Sequence, residues 1–343
     1  MLKDIAAFAG ATLAATAAWA QPYAFSTIDP ALAFFTIVPN GINDSGTMSG
    51  LWVDTAQVSH GFLAQGATFT SFDAPLADTT KVGALRGTAA GGLDNSGTTV
   101  GSYSAGGTQH GFIRNAAGST TTLDIAGHLD TQLFDINGSA QIIGAYADSH
   151  TVLGGTSFLR SATGVLTVVA MPGSIFSQAQ GLNDAGAIVG GWYDAASVLH
   201  GYVRAPNGVY TTIDVPGADA TIPSGINDAG WIVGEYDSGG VAHAYVRDPL
   251  GAITTIDVPG ATFTTATGIN GGGDIVGQYC DSASVCHGFL AVPVPEPAAW
   301  ALLLAGIGAV GLRLRGGLAR GRASMRSANV RTGREPVTAV WPA

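Results

Sequence analysis

Seven histidines are spread over 343 residues, and five of them stand in one recurring setting. They are His60-Gly61-Phe62, His110-Gly111-Phe112, His200-Gly201-Tyr202, His243-Ala244-Tyr245 and His287-Gly288-Phe289. An imidazole titrates near neutral pH and ligates metals, so such a set could serve proton transfer or a metal centre. Carboxylates recur as well, at Asp29, Asp73, Asp124, Asp214 and Asp257, with Ala170 in the equivalent place of one copy. Duplication argues for the quieter role, because equivalent residues of a repeat lie far apart unless they face a common axis. The aspartates precede Pro or Gly connectors, where a carboxylate accepts backbone N–H bonds and fixes a turn. His128 and His150 stand outside the pattern, without evident partners. Turns rich in Asn and Asp offer oxygen ligands, but no copy has the D-x-[DN]-x-[DN]-G spacing of a calcium loop. No metal site and no cofactor are assigned, with calcium as the alternative. The sequence contains no G-x-S-x-G, H-E-x-x-H or C-x-x-C, so a polysaccharide hydrolase or lyase is the weaker alternative to a non-catalytic chain. Cys280 and Cys286, the only cysteines, flank "DSASV" and are expected to bridge in an exported protein.

The elements that would carry these residues follow from internal repetition. One signature recurs six times: "GINDSGTMSG" at 41, "GLDNSGTTVG" at 92, "DINGSAQIIG" at 135, "GLNDAGAIVG" at 181, "GINDAGWIVG" at 225 and "GINGGGDIVG" at 268. Its Asn (Asp94 in the second copy) lies seven residues before a Gly each time, and copies start 51, 43, 46, 44 and 43 residues apart. Asn at turn position i and Gly at i+3 suit a type I turn closing a bulged hairpin. The His-containing signature follows, although the third copy keeps only Phe158; "TTIDVPGA" at 211 and 254 comes next. Each unit therefore predicts four short strands, the size of one propeller blade. The first TTID-like strand, "FSTID" at 25, has no strands before it, and the last unit ends after "HGFLAV" without one. The N-terminal strand can complete the C-terminal blade and hide both edges. The expected fold is all-β: a six-bladed propeller over residues 21–292, closed by an N-terminal strand.

Composition agrees with many short strands and tight turns. The chain has 50 glycines, 46% hydrophobic and 11% charged residues. Seven of its 14 Lys and Arg residues lie at Arg313 or beyond, so the body is more acidic than the net charge of −10 suggests. Phosphates reward Lys and Arg, which sets nucleic acids and anionic membranes aside as partners. Residues 1–20 read as a signal peptide: Lys3, an apolar or small run from Ile5 to Thr16, and Ala18-Trp19-Ala20 before cleavage between Ala20 and Gln21. The partners this implies are the Sec translocon and signal peptidase. At the other end, Val294-Pro295-Glu296-Pro297 precedes an uncharged run from Ala298 to Leu312, then Arg313 and Arg315. As a helix the run would span roughly 22 Å, short of the ~30 Å hydrocarbon core, which suits a temporary anchor with its basic flank in the cytoplasm. Residues 293–315 thus form one segment, and 316–343 a basic tail without a predicted fold.

The order Val-Pro-Glu-Pro, short apolar helix, arginine cluster resembles the PEP-CTERM sorting domain of Gram-negative bacteria. The resemblance implies recognition by an exosortase, cleavage near the motif, and release or transfer to the cell surface in association with exopolysaccharide and biofilm. Family tails usually end near the arginines, whereas this chain continues with five more. The repeated body is similar to HAF-type extracellular repeats, whose His-Ala-Phe signature stands here as His243-Ala244-Tyr245 and its HGF variants. The expectation is an exported, non-catalytic surface or matrix component. The alternative is a carbohydrate-binding module that meets matrix polysaccharide through Trp52, Trp192 and Trp231, which otherwise read as blade-packing residues in strands.

Overall fold

The computed structural model describes residues 23–29, 34–79, 87–148 and 155–294, the last three stretches and β1 forming one compact unit. Ala20, Gln21, His150, Pro295, Glu296, Pro297, Arg313, Arg315, the Ala298–Leu312 run and the 316–343 tail lie outside the described residues.

Strand β1 (Tyr23–Ile28) comes first and is followed by five consecutive four-stranded antiparallel blades. Blade 1 holds β2 (Phe34–Ile42), β3 (Met48–Asp54), β4 (Ser59–Gln65) and β5 (Thr68–Phe72). Blade 2 holds β6 (Thr88–Leu93), β7 (Thr99–Ala105), β8 (Thr108–Arg114) and β9 (Thr120–Thr122). Blade 3 is β10 (Asp130–Ile136), β11 (Ile142–Ala147), β12 (Thr156–Arg160) and β13 (Leu166–Val168). Blade 4 is β14 (Phe176–Leu182), β15 (Ile188–Tyr193), β16 (Leu199–Arg204) and β17 (Tyr210–Ile213). Blade 5 is β18 (Ala220–Ile226), β19 (Ile232–Ser238), β20 (Val241–Arg247) and β21 (Ile253–Thr255). Blade 6 has β22 (Phe263–Ile269), β23 (Ile275–Cys280) and β24 (Cys286–Pro293), and takes β1 as its fourth strand. The protein is a six-bladed β-propeller. Its closing register runs from Tyr23 opposite Pro293 to Ile28 opposite Gly288.

The repeated residues divide the work of each blade. An aromatic ring from every third strand (Phe62, Phe112, Phe158, Tyr202, Tyr245, Phe289) is fully buried. Opposite it stands the last glycine of the turn signature: Gly50 pairs with Phe62, and Gly277 with Phe289. A Cβ on Gly50 would come within 2.7 Å of the Phe62 ring and 2.2 Å of the Val38 carbonyl, so no larger residue fits. The glycine three residues after the asparagine has the other task. Gly46, Gly97, Gly186, Gly230 and Gly273 take positive φ at the turn, where blade 3 strains Ala140 to φ 53°.

The asparagine of the signature links blades. Asn43 Oδ1 accepts from the backbone of Ser45 and Thr47 in its own turn, while Nδ2 donates to the Asp94 carbonyl of blade 2 at 3.1 Å. The same Nδ2 bond runs from Asn137 to Asn183, Asn183 to Asn227, Asn227 to Asn270, and Asn270 back to Asn43. These four lie at 2.9–3.2 Å and are buried, whereas the bond from Asn43 is part-buried. Asp94 interrupts the circle toward blade 3, because a carboxylate has no N–H to give.

Candidate functional site

The repeated histidines and aspartates come together in pairs. Nδ1 of His60 meets Asp73 at 3.0 Å, His110 meets Asp124 at 2.9 Å, and His200 meets Asp214 at 2.9 Å. His243 meets Asp257 at 2.6 Å, and His287 reaches across the ring closure to Asp29 at 2.9 Å. The carboxylate thus ties the third strand to the connector leading out of the blade. It does so through a side-chain partner, where the sequence suggested backbone N–H groups; among the described residues only Asp257 of these carboxylates also accepts a backbone bond, from Ala244. The connector N–H that follows is held instead by the next blade, as where Thr88 Oγ1 accepts from Ala74 and Thr131 Oγ1 from Ile125. Each imidazole stacks on its cross-strand neighbour: His60 on Trp52, His110 on Tyr103, His200 against Trp192, His243 on Tyr236 and His287 against Tyr279. His128 has a partner after all, Asp148 at 2.6 Å, and stacks on Tyr146.

In three blades a second carboxylate approaches Nε2, with Asp54, Asp194 and Asp281 at 3.6–3.8 Å. Hairpin backbone N–H bonds, from Val58, Val198 and Val285 first, hold those carboxyls below the usual carboxylate range, with the imidazoles adding to the effect. At His110 the second nitrogen meets Thr108 Oγ1 at 2.8 Å, giving a hydroxyl–imidazole–carboxylate line. That hydroxyl gives its proton to the Ala105 carbonyl at 2.9 Å, away from the ring. The five pairs sit one to a blade in every blade but the third, each with its histidine on the third strand, and do not converge. Among the described residues no group of three or more His, Cys, Asp or Glu could hold a metal ion.

Convergence occurs elsewhere, at the innermost strands. Each carries a β-bulge two residues after which the strand ends: the register slips between Pro39 and Gly41, Leu133 and Asp135, Ala179 and Gly181, Pro223 and Gly225, and Ala266 and Gly268. In β6 the slip spans Ala90 to Leu93. A bulge re-aims a side chain out of the alternating pattern. The bulged residues Asn40, Phe134, Gln180, Ser224 and Thr267 accordingly line the central channel through both of its cavities, and Gly91 lines the larger one. The six positions carry six different residue types, although their flanks repeat.

The next position inward is Gly41, Gly92, Gly181, Gly225 and Gly268 in five blades, and Asp135 in blade 3. Its carboxylate accepts backbone N–H bonds from Ile136 and from Leu182 of the next blade, both at 2.9 Å. Burial pushes the Asp135 carboxyl up to about 7, opposed by those two bonds and assisted by the nearby Asp184 charge. Periodicity gave no sign of this residue; its signal was the one acid in a column of glycines.

The remaining site residues are placed simply. Cys280 and Cys286 face each other across β23 and β24 and form a disulfide. Val294 follows the last strand and is 42% exposed. Trp52 is buried and donates to Ser71, and Trp192 is half-buried in its blade. Trp231 departs from the strand reading: it precedes β19 in the turn and is 37% exposed.

No family model matches the sequence, and no curated protein matches it. Solved structures similar to this one include a catalytically inactive virginiamycin B lyase from Staphylococcus aureus, at 10% identity and TM-score 0.47 over 79% of this chain and 99% of that one. A gluconolactonase from Xanthomonas campestris shows 15% identity and TM-score 0.48 over 80% and 90%. A lectin from Aleuria aurantia shows 12% identity and TM-score 0.46 over 78% and 100%. These likenesses assign no activity to this chain.

Proposed function

We propose that the protein is an exported, non-catalytic propeller sorted by an exosortase to the cell envelope or extracellular matrix, where it accompanies exopolysaccharide as a surface component. The observation that carries this reading is the order of parts at the C-terminus. The last strand ends at Pro293, Val294 is exposed, and the Pro-Glu-Pro, apolar run and arginines follow directly in sequence. A processing enzyme needs its recognition segment outside the folded body, and Pro295 and Pro297 favour an extended backbone there. The Cys280–Cys286 disulfide suits an oxidising compartment. Dispersed His–Asp pairs, each tied to a connector, support a structural role for the residues that first suggested catalysis.

The test is fractionation of host cells with and without their exosortase, followed by mass spectrometry of the mature C-terminus. Wild type is expected to be cut near Pro295 only when the exosortase is present. Glu296→Ala should fold and be exported but accumulate uncut in the membrane fraction. Processing of Glu296→Ala like wild type, or a wild type that stays uncut, would leave a plain C-terminal anchor as the better reading.

A further inference from the structure

The larger cavity of the central channel has a volume of about 610 Å³, within the roughly 300–1,000 Å³ of small-molecule sites. Its origin is legible in β6, "TAAGGL". Where the other innermost strands carry Gln132-Leu133-Phe134 or Gln178-Ala179-Gln180, this one carries Ala89-Ala90-Gly91, and the missing side chains open the channel sideways between blades 1 and 2. The backbone leaves no choice at one point: a Cβ on Gly91 would lie 2.4 Å from the Phe134 carbonyl oxygen.

Among the described residues lining this cavity none is ionisable, in a chain of net charge −10. The lining offers hydroxyls and carboxamides beside one aromatic ring. Among the described residues, the side chains of Ser102, Gln132, Gln180 and Ser224 have no hydrogen-bonding partner. Phe134, Leu51 and Val53 supply apolar surface next to them.

This lining selects a ligand class by what it can satisfy. Among the described lining residues a phosphate, sulfate or carboxylate would find no cationic partner, and a cation no carboxylate. A purely apolar guest would leave the carboxamides without partners. A neutral polyhydroxylated molecule meets both demands, because each hydroxyl donates and accepts, and C–H faces of a sugar ring can lie on Phe134. We propose that the cavity is a binding site for a neutral saccharide, with Gln132, Gln180 and Ser224 as its hydrogen-bonding residues and Ala89 and Gly91 as the residues that make its room. The inference deepens the envelope reading above and rests on it only for where such a ligand would be met.

The test uses the full chain, solubilised and immobilised, titrated with neutral gluco-, galacto- and manno-oligosaccharides and with oligosaccharides containing uronic acids. At least one neutral series is expected to bind, about tenfold or more tighter than any uronate. Gln180→Leu, which keeps volume but removes the amide, should weaken binding by about tenfold. Ala89→Leu should weaken it similarly by filling the space, with melting temperature unchanged or raised; if that variant fails to fold, Gln180→Leu alone decides. Absence of neutral binding, preference for uronates, or wild-type affinity in Gln180→Leu would overturn the proposal. None of these readouts depends on cellular sorting, so the two readings fail separately.

Discussion

Two of the six buried rings carry a hydroxyl. Tyr202 and Tyr245 occupy the place held by Phe in the other blades, and their Oη atoms find no partner among the described residues. Burial pushes both phenols well above the ordinary tyrosine range. An unpaired buried hydroxyl costs about 1–3 kcal/mol, so Tyr202→Phe is expected to stabilise the protein by about 1 kcal/mol, read as a higher urea midpoint. Asp135 makes the opposite kind of prediction, one that depends on pH. Its folded pKa of about 7 lies above the ordinary 3.8. Between these values the folded protein holds a proton that the unfolded chain has released, so this group's contribution to stability falls as pH rises through that window. Asp135→Asn cannot ionise and lacks this dependence. Its stability relative to wild type should therefore improve between about pH 4.5 and about pH 8, as measured by denaturant midpoints. Parallel pH profiles for the two proteins would show that the carboxyl does not titrate there.

Between elements, the turn asparagines form the circumferential link, and Asp94 is the one place where it breaks. Asp94→Asn would restore an Nδ2 donor facing blade 3 while keeping the Oδ1 bonds to Ser96 and Thr98. It should add about 0.5–1.5 kcal/mol, and Asn183→Asp, which removes the bond to Asn227, should cost a similar amount. Thermal or urea melts of the two variants check both signs. The strands themselves were legible in the sequence, because each turn has its own Asn and Gly at fixed spacing and each strand its own short apolar run. The His–Asp pairs were visible only as separate columns, since four of them join residues 13 or 14 apart across a hairpin and the fifth spans the ring closure. One signal could have joined them: blade 3 lacks both together, with Thr156 in the place of His and Ala170 in the place of Asp. The channel ring was hidden for a different reason. Bulges take Asn40, Gly91, Phe134, Gln180, Ser224 and Thr267 out of the two-residue period, and they share no type that a repeat search would align.

For the whole molecule, the decisive junction is β1 on β24. Phe25 packs edge-on against Phe289 at 5.7 Å, and Asp29 holds His287. Deleting residues 23–29 should expose the β24 edge, lower the melting temperature and promote association through that edge, visible by size-exclusion chromatography. An unchanged monomer with unchanged melting would mean that the sixth blade closes without it. The same junction joins residues 258 positions apart, the first strand made to the last. A chain made N-terminus first must therefore keep β1 without its partner strand until nearly the whole body has been synthesised. A product of interrupted translation never gains β24, retains open edges on both sides, and offers proteases a substrate that the finished ring does not. Completion of synthesis is thus written into the fold as a condition for closing the ring.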